Sequence, residues 1–137
     1  RFELEVTESA FVGADPVVSD AFDRLRARGI ALALDDYGTG YASLGYLHRF
    51  PFTVLKIDKT FVDGVPCDPD AMAIMQSVVV LARGLGLKTV AEGVELPEQR
   101  DALEQLGCDV GQGYLFSPPV ENATLARMLA KERVAVG

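Results

Sequence analysis

The chain has 137 residues, of which 49% are hydrophobic and 24% charged, with no tryptophan and a formal net charge of −7. Such a length gives one domain with a real core, and the acidic balance argues against duplex nucleic acid as a partner. No uninterrupted apolar run exceeds that over residues 78–82, far short of a bilayer span, so no membrane contact is expected from this segment.

The chain alternates short apolar strands with helical segments. Residues 2–7 alternate as a strand, with Leu4 and Val6 on one side and Glu3, Glu5 and Thr7 on the other. Asp15-Pro16 reads as a helix cap followed by proline at the first helical position, and the helix runs to Arg28 with Gly29 after it. Residues 30–34 form a second strand that ends at the pair Asp35-Asp36, and residues 41–49 a short helix that Pro51 breaks. A third strand, 54–58, sets Lys56 and Asp58 on one face, and a long helix covers 70–85. A fourth strand, 87–91, leads to Glu92-Gly93, and a helix over 97–106 stops at Gly107. Residues 109–114 give a fifth short strand and 121–131 a terminal helix. The rhythm implies an α/β fold with about five parallel strands, either an open doubly wound sheet or an arc of a (β/α)₈ barrel. A complete barrel takes roughly 200 residues or more, so this would be a partial one.

Neighbouring carboxylates at a strand end repel unless a cation shares them. Oxygen ligands suit Mg²⁺ or Mn²⁺, although an Asp pair also serves turns and helix caps. The polar residues fall at strand ends: Glu5 and Glu8 on the first, Asp35 and Asp36 on the second, Lys56 and Asp58 on the third, Glu92 on the fourth and Gln112 on the fifth. Parallel α/β folds carry their sites at that edge. Each residue has a plainer alternative, such as a cap for Asp58 or a loop amide for Gln112. Together they point to a metal site, and carboxylates bridging two divalent ions suit in-line phosphoryl displacement. There Lys56 would hold the attacking water or a phosphate oxygen, and Glu92 would bind metal or take a proton.

Two cysteines, Cys67 and Cys108, share no partner spacing, so neither zinc nor a disulfide follows and a reduced, cytoplasmic setting is the simplest reading. The only histidine, His48, has neither cysteine nearby in sequence. The chain opens at Arg1 without a visible signal peptide, which leaves room for a missing N-terminal portion.

The segments Leu4-Glu5-Val6-Thr7-Glu8-Ser9, Asp35-Asp36-Tyr37-Gly38-Thr39-Gly40-Tyr41, Leu55-Lys56-Ile57-Asp58, Ala91-Glu92-Gly93-Val94-Glu95 and Gln112-Gly113-Tyr114-Leu115-Phe116 resemble five successive motifs of the EAL-domain family. That resemblance implies a TIM-like barrel with one strand reversed, acting as a bacterial signal-transduction hydrolase that converts cyclic di-GMP to linear pGpG with two Mg²⁺ or Mn²⁺ ions. It implies metal ligation by Glu5, Asp35, Asp36 and Glu92, contact of Lys56 with the attacking water, and a site lined by Asp58 and Gln112. Glu8 would steady the loop after the Asp pair, residues 37–47 with Gly38, Thr39 and Gly40, which links metal binding to homodimer contacts through that loop and the helix after it.

The Glu-Ala-Leu motif and a later Asn of the family have no counterpart here, since both belong to the first half of the barrel. Residues 1–137 are therefore expected to be the C-terminal portion of an EAL domain, inactive alone and part of a longer parent that other domains could anchor to a membrane. A catalytically degenerate cyclic di-GMP-binding module is the alternative. A phospho-receiver-like domain also uses strand-end acids and a Lys around Mg²⁺, but it would place the acid pair on the first strand.

Overall fold

The computed structural model describes residues 2–7, 16–38 and 44–134. Among these residues, five strands, β1 (Glu3–Thr7), β2 (Ala31–Tyr37), β3 (Val54–Ile57), β4 (Lys88–Ala91) and β5 (Val110–Gly111), alternate with six helices. These are α1 (Pro16–Ala27), α2 (Leu44–Arg49), α3 (Lys59–Val62), α4 (Pro69–Gly84), α5 (Pro97–Leu106) and α6 (Asn122–Val134). All strand pairs are parallel and the spatial order is β1-β2-β3-β4-β5. A doubly wound sheet reverses direction from its first strand, whereas this order never reverses. Right-handed crossovers then lay every helix on one face, which is the winding of a barrel wall.

Register sorts the side chains between the two faces. Leu4 pairs with Leu32, Leu34 with Leu55 and Ile57 with Ala91, so these residues face the helices. Leu32, Leu34, Leu55 and Ile57 are completely buried there, against Met75, Val79 and Ala82 of α4 and Leu103 of α5. The opposite face carries Glu5, Ala33, Val54, Lys56 and Val90. That face would be the interior of a barrel.

Local chemistry sets the helix ends. Asp68 caps α4 through Asp70 N at 2.9 Å, Pro69 opens it, and Arg83 occupies its last turn. Gly107, at φ 83°, closes α5. Gln99, 4% exposed, accepts from Glu95 N at 2.9 Å and Leu96 N at 3.0 Å and donates to Val62 O at 3.1 Å. One buried amide thus joins the turn after β4 to α3.

Several boundaries differ from the sequence reading. β2 runs three residues past Leu34 and takes in both aspartates, because its pairing with β3 resumes at Tyr37–Ile57. β3 stops at Ile57, since Asp58 turns to cap α3, a helix the reading did not anticipate. The fifth strand shrinks to Val110–Gly111, because its partner β4 ends at Ala91. α4 begins at Pro69, and α6 at Asn122. Asp15 lies outside the described residues. Among those described, no helix is long and apolar enough to cross a membrane.

Asp109 ties β4 to the entrance of β5. Its Oδ2 accepts from Thr89 N and Thr89 Oγ1, both at 2.8 Å, and its own amide donates to Thr89 Oγ1 at 3.0 Å. The Thr89 amide holds the Asp109 carboxyl below its ordinary 3.8, burial opposes this, and the Thr89 hydroxyl, Lys88 and Arg83 assist. A carboxyl depressed on folding stabilises above its unfolded pKa, and that contribution is lost as pH falls through the folded value. Asp109→Asn should therefore cost about 1 kcal/mol at pH 7. Urea unfolding should show the gap closing below the ordinary carboxyl value of 3.8; a gap independent of pH would contradict this account.

Candidate metal centre and active site

Lys56 sits on the inner face at the middle of the arc, with its side chain 7% exposed. Its Nζ lies 2.9 Å from Glu5 Oε1 of β1, 2.9 Å from Asp35 Oδ1 of β2 and 2.8 Å from Glu92 Oε1 after β4. Burial alone would lower the pKa of this ammonium. The close carboxylates of Asp35, Glu92 and Glu5 outweigh burial and hold it well above the ordinary lysine value. The cation therefore stays charged throughout the physiological range.

The two aspartates reach one site through a bulge. Along β2 the register advances three residues from Leu34 to Tyr37, while β3 advances two from Leu55 to Ile57. The extra residue is accommodated at Asp36, whose φ is 55°. Aspartate tolerates this left-handed conformation better than most side chains, and a bulge re-aims side chains that strict alternation would send to opposite faces. As a result, one carboxylate oxygen from each of Asp35, Asp36 and Glu92 lies within 4.8 Å of the others. Strain of this kind persists where the surroundings over-determine it, commonly at sites of function.

The three carboxylates fit a hard divalent cation. The donor set is all oxygen. Asp35 Oδ1 is buried and accepts no aligned hydrogen bond among the described residues, although Lys56 Nζ stands 2.9 Å away. That contact is an ion pair by distance without being a directed bond, so a lone pair of Asp35 is left for a cation.

The remaining candidates are placed less uniformly. Glu5 is on the Lys56 cluster, with its side chain 49% exposed, because among the described residues β1 pairs with β2 alone. Asp58 Oδ1 accepts from Thr60 N at 2.9 Å and Thr60 Oγ1 at 2.6 Å, so its carboxylate serves α3. Gln112 is exposed, and its backbone extends the β4–β5 ladder by donating to Ala91 O at 2.8 Å and accepting from Val94 N at 3.0 Å. Gly38, at φ 104°, lies so close to α3 that a Cβ would stand 2.0 Å from Phe61 Cε2. Glu8, Thr39 and Gly40 lie outside the described residues.

Sequence reasoning missed two parts of the surroundings. The Lys59–Glu95 ion pair beside Gly93 left no spacing signal, because its members come from different elements. The Gln99 bridge did leave one: an acceptor side chain at the third position of a Pro-led helix is half of a capping box.

A family model described as the EAL domain matches residues 1–119. The chain belongs to the EAL domain family. It is 44% identical over 131 residues to the cyclic di-GMP phosphodiesterase NbdA of Pseudomonas aeruginosa, covering 96% of this chain and 17% of that protein. The EAL domain of Mycobacterium smegmatis DcpA superimposes with a TM-score of 0.88 at 37% identity, over 94% of this chain and 58% of that one. A manganese and cyclic di-GMP complex of Klebsiella pneumoniae BlrP1 gives 0.78 at 37% identity, over 85% of this chain and 30% of that one. The chain thus spans between 17% and 58% of the length of these relatives. EAL domains are TIM-like barrels, which agrees with the unreversed strand order.

Lys56→Met should leave the inner carboxylates without their cation and lower stability by about 3 kcal/mol in urea unfolding. Millimolar Mn²⁺ should recover part of that loss, because a second cation would then share the acids. Unchanged stability in the variant would show that the cluster does not depend on Lys56.

Proposed function

We propose that residues 1–137 are the C-terminal portion of an EAL domain in a longer protein that hydrolyses cyclic di-GMP to linear pGpG in bacterial second-messenger signalling. The observation that carries this reading is the grouping of Asp35, Asp36 and Glu92 beside the buried Lys56 ammonium. Relatives named cyclic di-GMP phosphodiesterases, and a neighbour solved with manganese and cyclic di-GMP, support it.

Asp35, Asp36 and Glu92, with Glu5 at the rim, would hold two Mg²⁺ or Mn²⁺ ions. When bound, such ions supply Lewis-acid charge to the phosphodiester and acidity to the attacking water. Lys56 orients the carboxylates of Glu5 and Glu92. An ammonium has three donors, and Lys56 Nζ, 2.8–2.9 Å from Glu5, Asp35 and Glu92, stands where it would also contact the attacking water. Glu92 accepts that water's proton. The water oxygen bonds to phosphorus as one ring P–O bond breaks, and the departing sugar oxygen takes a proton from solvent. Asp58 and Gln112 line the approach in this reading. Glu8, with Gly38, Thr39 and Gly40, steadies the loop that, with α2, forms a homodimer contact. A cytoplasmic location goes with the reading.

In the longer protein, Asp35→Asn and Asp36→Asn should each lower kcat by about a thousandfold, since a cation supplies several kcal/mol to the transition state. EDTA should abolish turnover and Mn²⁺ restore it. The 137 residues alone should show little or no turnover, because the remaining barrel wall is then absent. Wild-type turnover by the double Asn variant would end the proposal, and full turnover by the isolated chain would end the claim of dependence on the rest of the barrel. Tight binding of cyclic di-GMP by the longer protein without hydrolysis would favour a degenerate binding module instead.

A further inference from the structure

We propose that Lys59 is a positioning residue for Glu92, holding the Glu92–Gly93 turn so that the carboxylate meets Lys56 and the two aspartates. The inference rests on the metal-site reading above but concerns a residue outside it.

Gly93 has φ 70°, and a Cβ there would stand 2.5 Å from Lys59 Cγ and 2.7 Å from both Lys59 Cβ and Cδ. The aliphatic stem of Lys59 therefore lies directly on the Gly93 backbone. Its ammonium reaches across the turn to Glu95 Oε1, with Asp63 Oδ1 at 3.9 Å on the near side. The start of α3, and with it Lys59, is fixed by the Asp58 cap on Thr60.

The far side of the same turn is clamped independently. Val94 N donates to Gln112 O at 3.0 Å, Leu115 N donates to Val94 O at 3.0 Å, and a Cβ on Gly113 would stand 2.2 Å from Val94 O. Gln99 holds Glu95 N and Leu96 N from beneath. Among the described residues, the three atoms nearest to a Cβ at the Gly93 end, next to Glu92, all belong to Lys59. Glu92 N donates to Ile57 O at 3.0 Å while its carboxylate meets Lys56 at 2.8 Å. One short stretch of chain, 56–59, therefore takes hold of Glu92 by side chain and backbone and covers the residue after it. A freed Gly93 would rotate about its unhindered dihedrals and carry Glu92 off its partners.

As an exposed ion pair, Lys59–Glu95 adds little to stability, which separates positioning from a merely structural role. The experiment compares Lys59→Ala and Lys59→Arg with wild type in the longer protein. Its readouts are cyclic di-GMP turnover, Mn²⁺ affinity by electron paramagnetic resonance, and Tm. Lys59→Ala should weaken Mn²⁺ binding and lower kcat by about tenfold each, the low end for groups that orient ligands, with KM within about twofold and Tm unchanged. Lys59→Arg, which keeps the stem and the charge, should restore both to within about threefold. Mn²⁺ affinity and kcat unaffected by Lys59→Ala would overturn the proposal. So would losses that track a falling Tm, or an Arg variant as poor as Ala. If wild type binds Mn²⁺ but cuts no cyclic di-GMP, the functional reading fails while the Mn²⁺ titration still decides this one. A wild type that binds no Mn²⁺ overturns both.

Discussion

One ammonium holds three carboxylates from three different parts of the sheet, and the inner face is organised around that contact. Burying a lysine is costly unless its charge is met, and here Glu5, Asp35 and Glu92 meet it at 2.8–2.9 Å. The dependence runs in both directions. The acids could not approach one another without the cation, and the cation could not occupy the interior without the acids. The strand registers β1–β2 and β3–β4 deliver these groups to the same face, so a slip of one residue in either pair would turn a member toward the helices. The apolar layer beneath enforces the registers, because Leu32, Leu34, Leu55 and Ile57 are completely buried on the other face. Packing on one side of the sheet thus sets the chemistry on the other.

The bulge in β2 shows where that logic is broken for a purpose. Strict alternation would send Asp36 to the helix face, into the layer that holds Leu34 and Ile57. A carboxylate there would be buried without a partner, at severe cost. The inserted residue and the positive φ at Asp36 instead keep it beside Asp35 and Glu92. Some backbone strain is accepted so that acids adjacent in sequence become adjacent in space. Proximity of that kind favours an added cation over two separate hydrogen-bonded turns.

The architecture and the membership of the site were legible in sequence to different depths. Strand–helix alternation and the glycine stops gave the element order, and α5 falls on the residues expected of it. What periodicity left open, sheet against barrel arc, was decided by strand order, a long-range property that no local spacing encodes. The grouping of Asp35, Asp36, Lys56 and Glu92 followed from their strand-end positions. The bulge did not, since Leu-Asp-Asp-Tyr reads equally well as a strand end. Asp58 shows the opposite failure: β-alternation put it with Lys56, while the short-range bond to Thr60 takes its carboxylate to α3. Local capping outcompetes extended pairing wherever a strand has no neighbour to continue along.

Exposure across the cluster carries a last consequence. The side chains run from 49% exposed at Glu5, through 18% at Asp35 and 7% at Lys56, to 20% at Glu92. The centre of the arc is therefore dry and its β1 rim wet. A buried ion pair gains from low dielectric on every side, yet Glu5 meets Lys56 with water at its back. In a closed barrel no strand is an edge, and both flanks of every inner carboxylate are walled. The same ammonium–glutamate contact would be stronger, and less mobile, with a further wall beyond β1. Of the three acids that meet Lys56, Glu5 is thus the one most exposed to solvent and Asp35 the least.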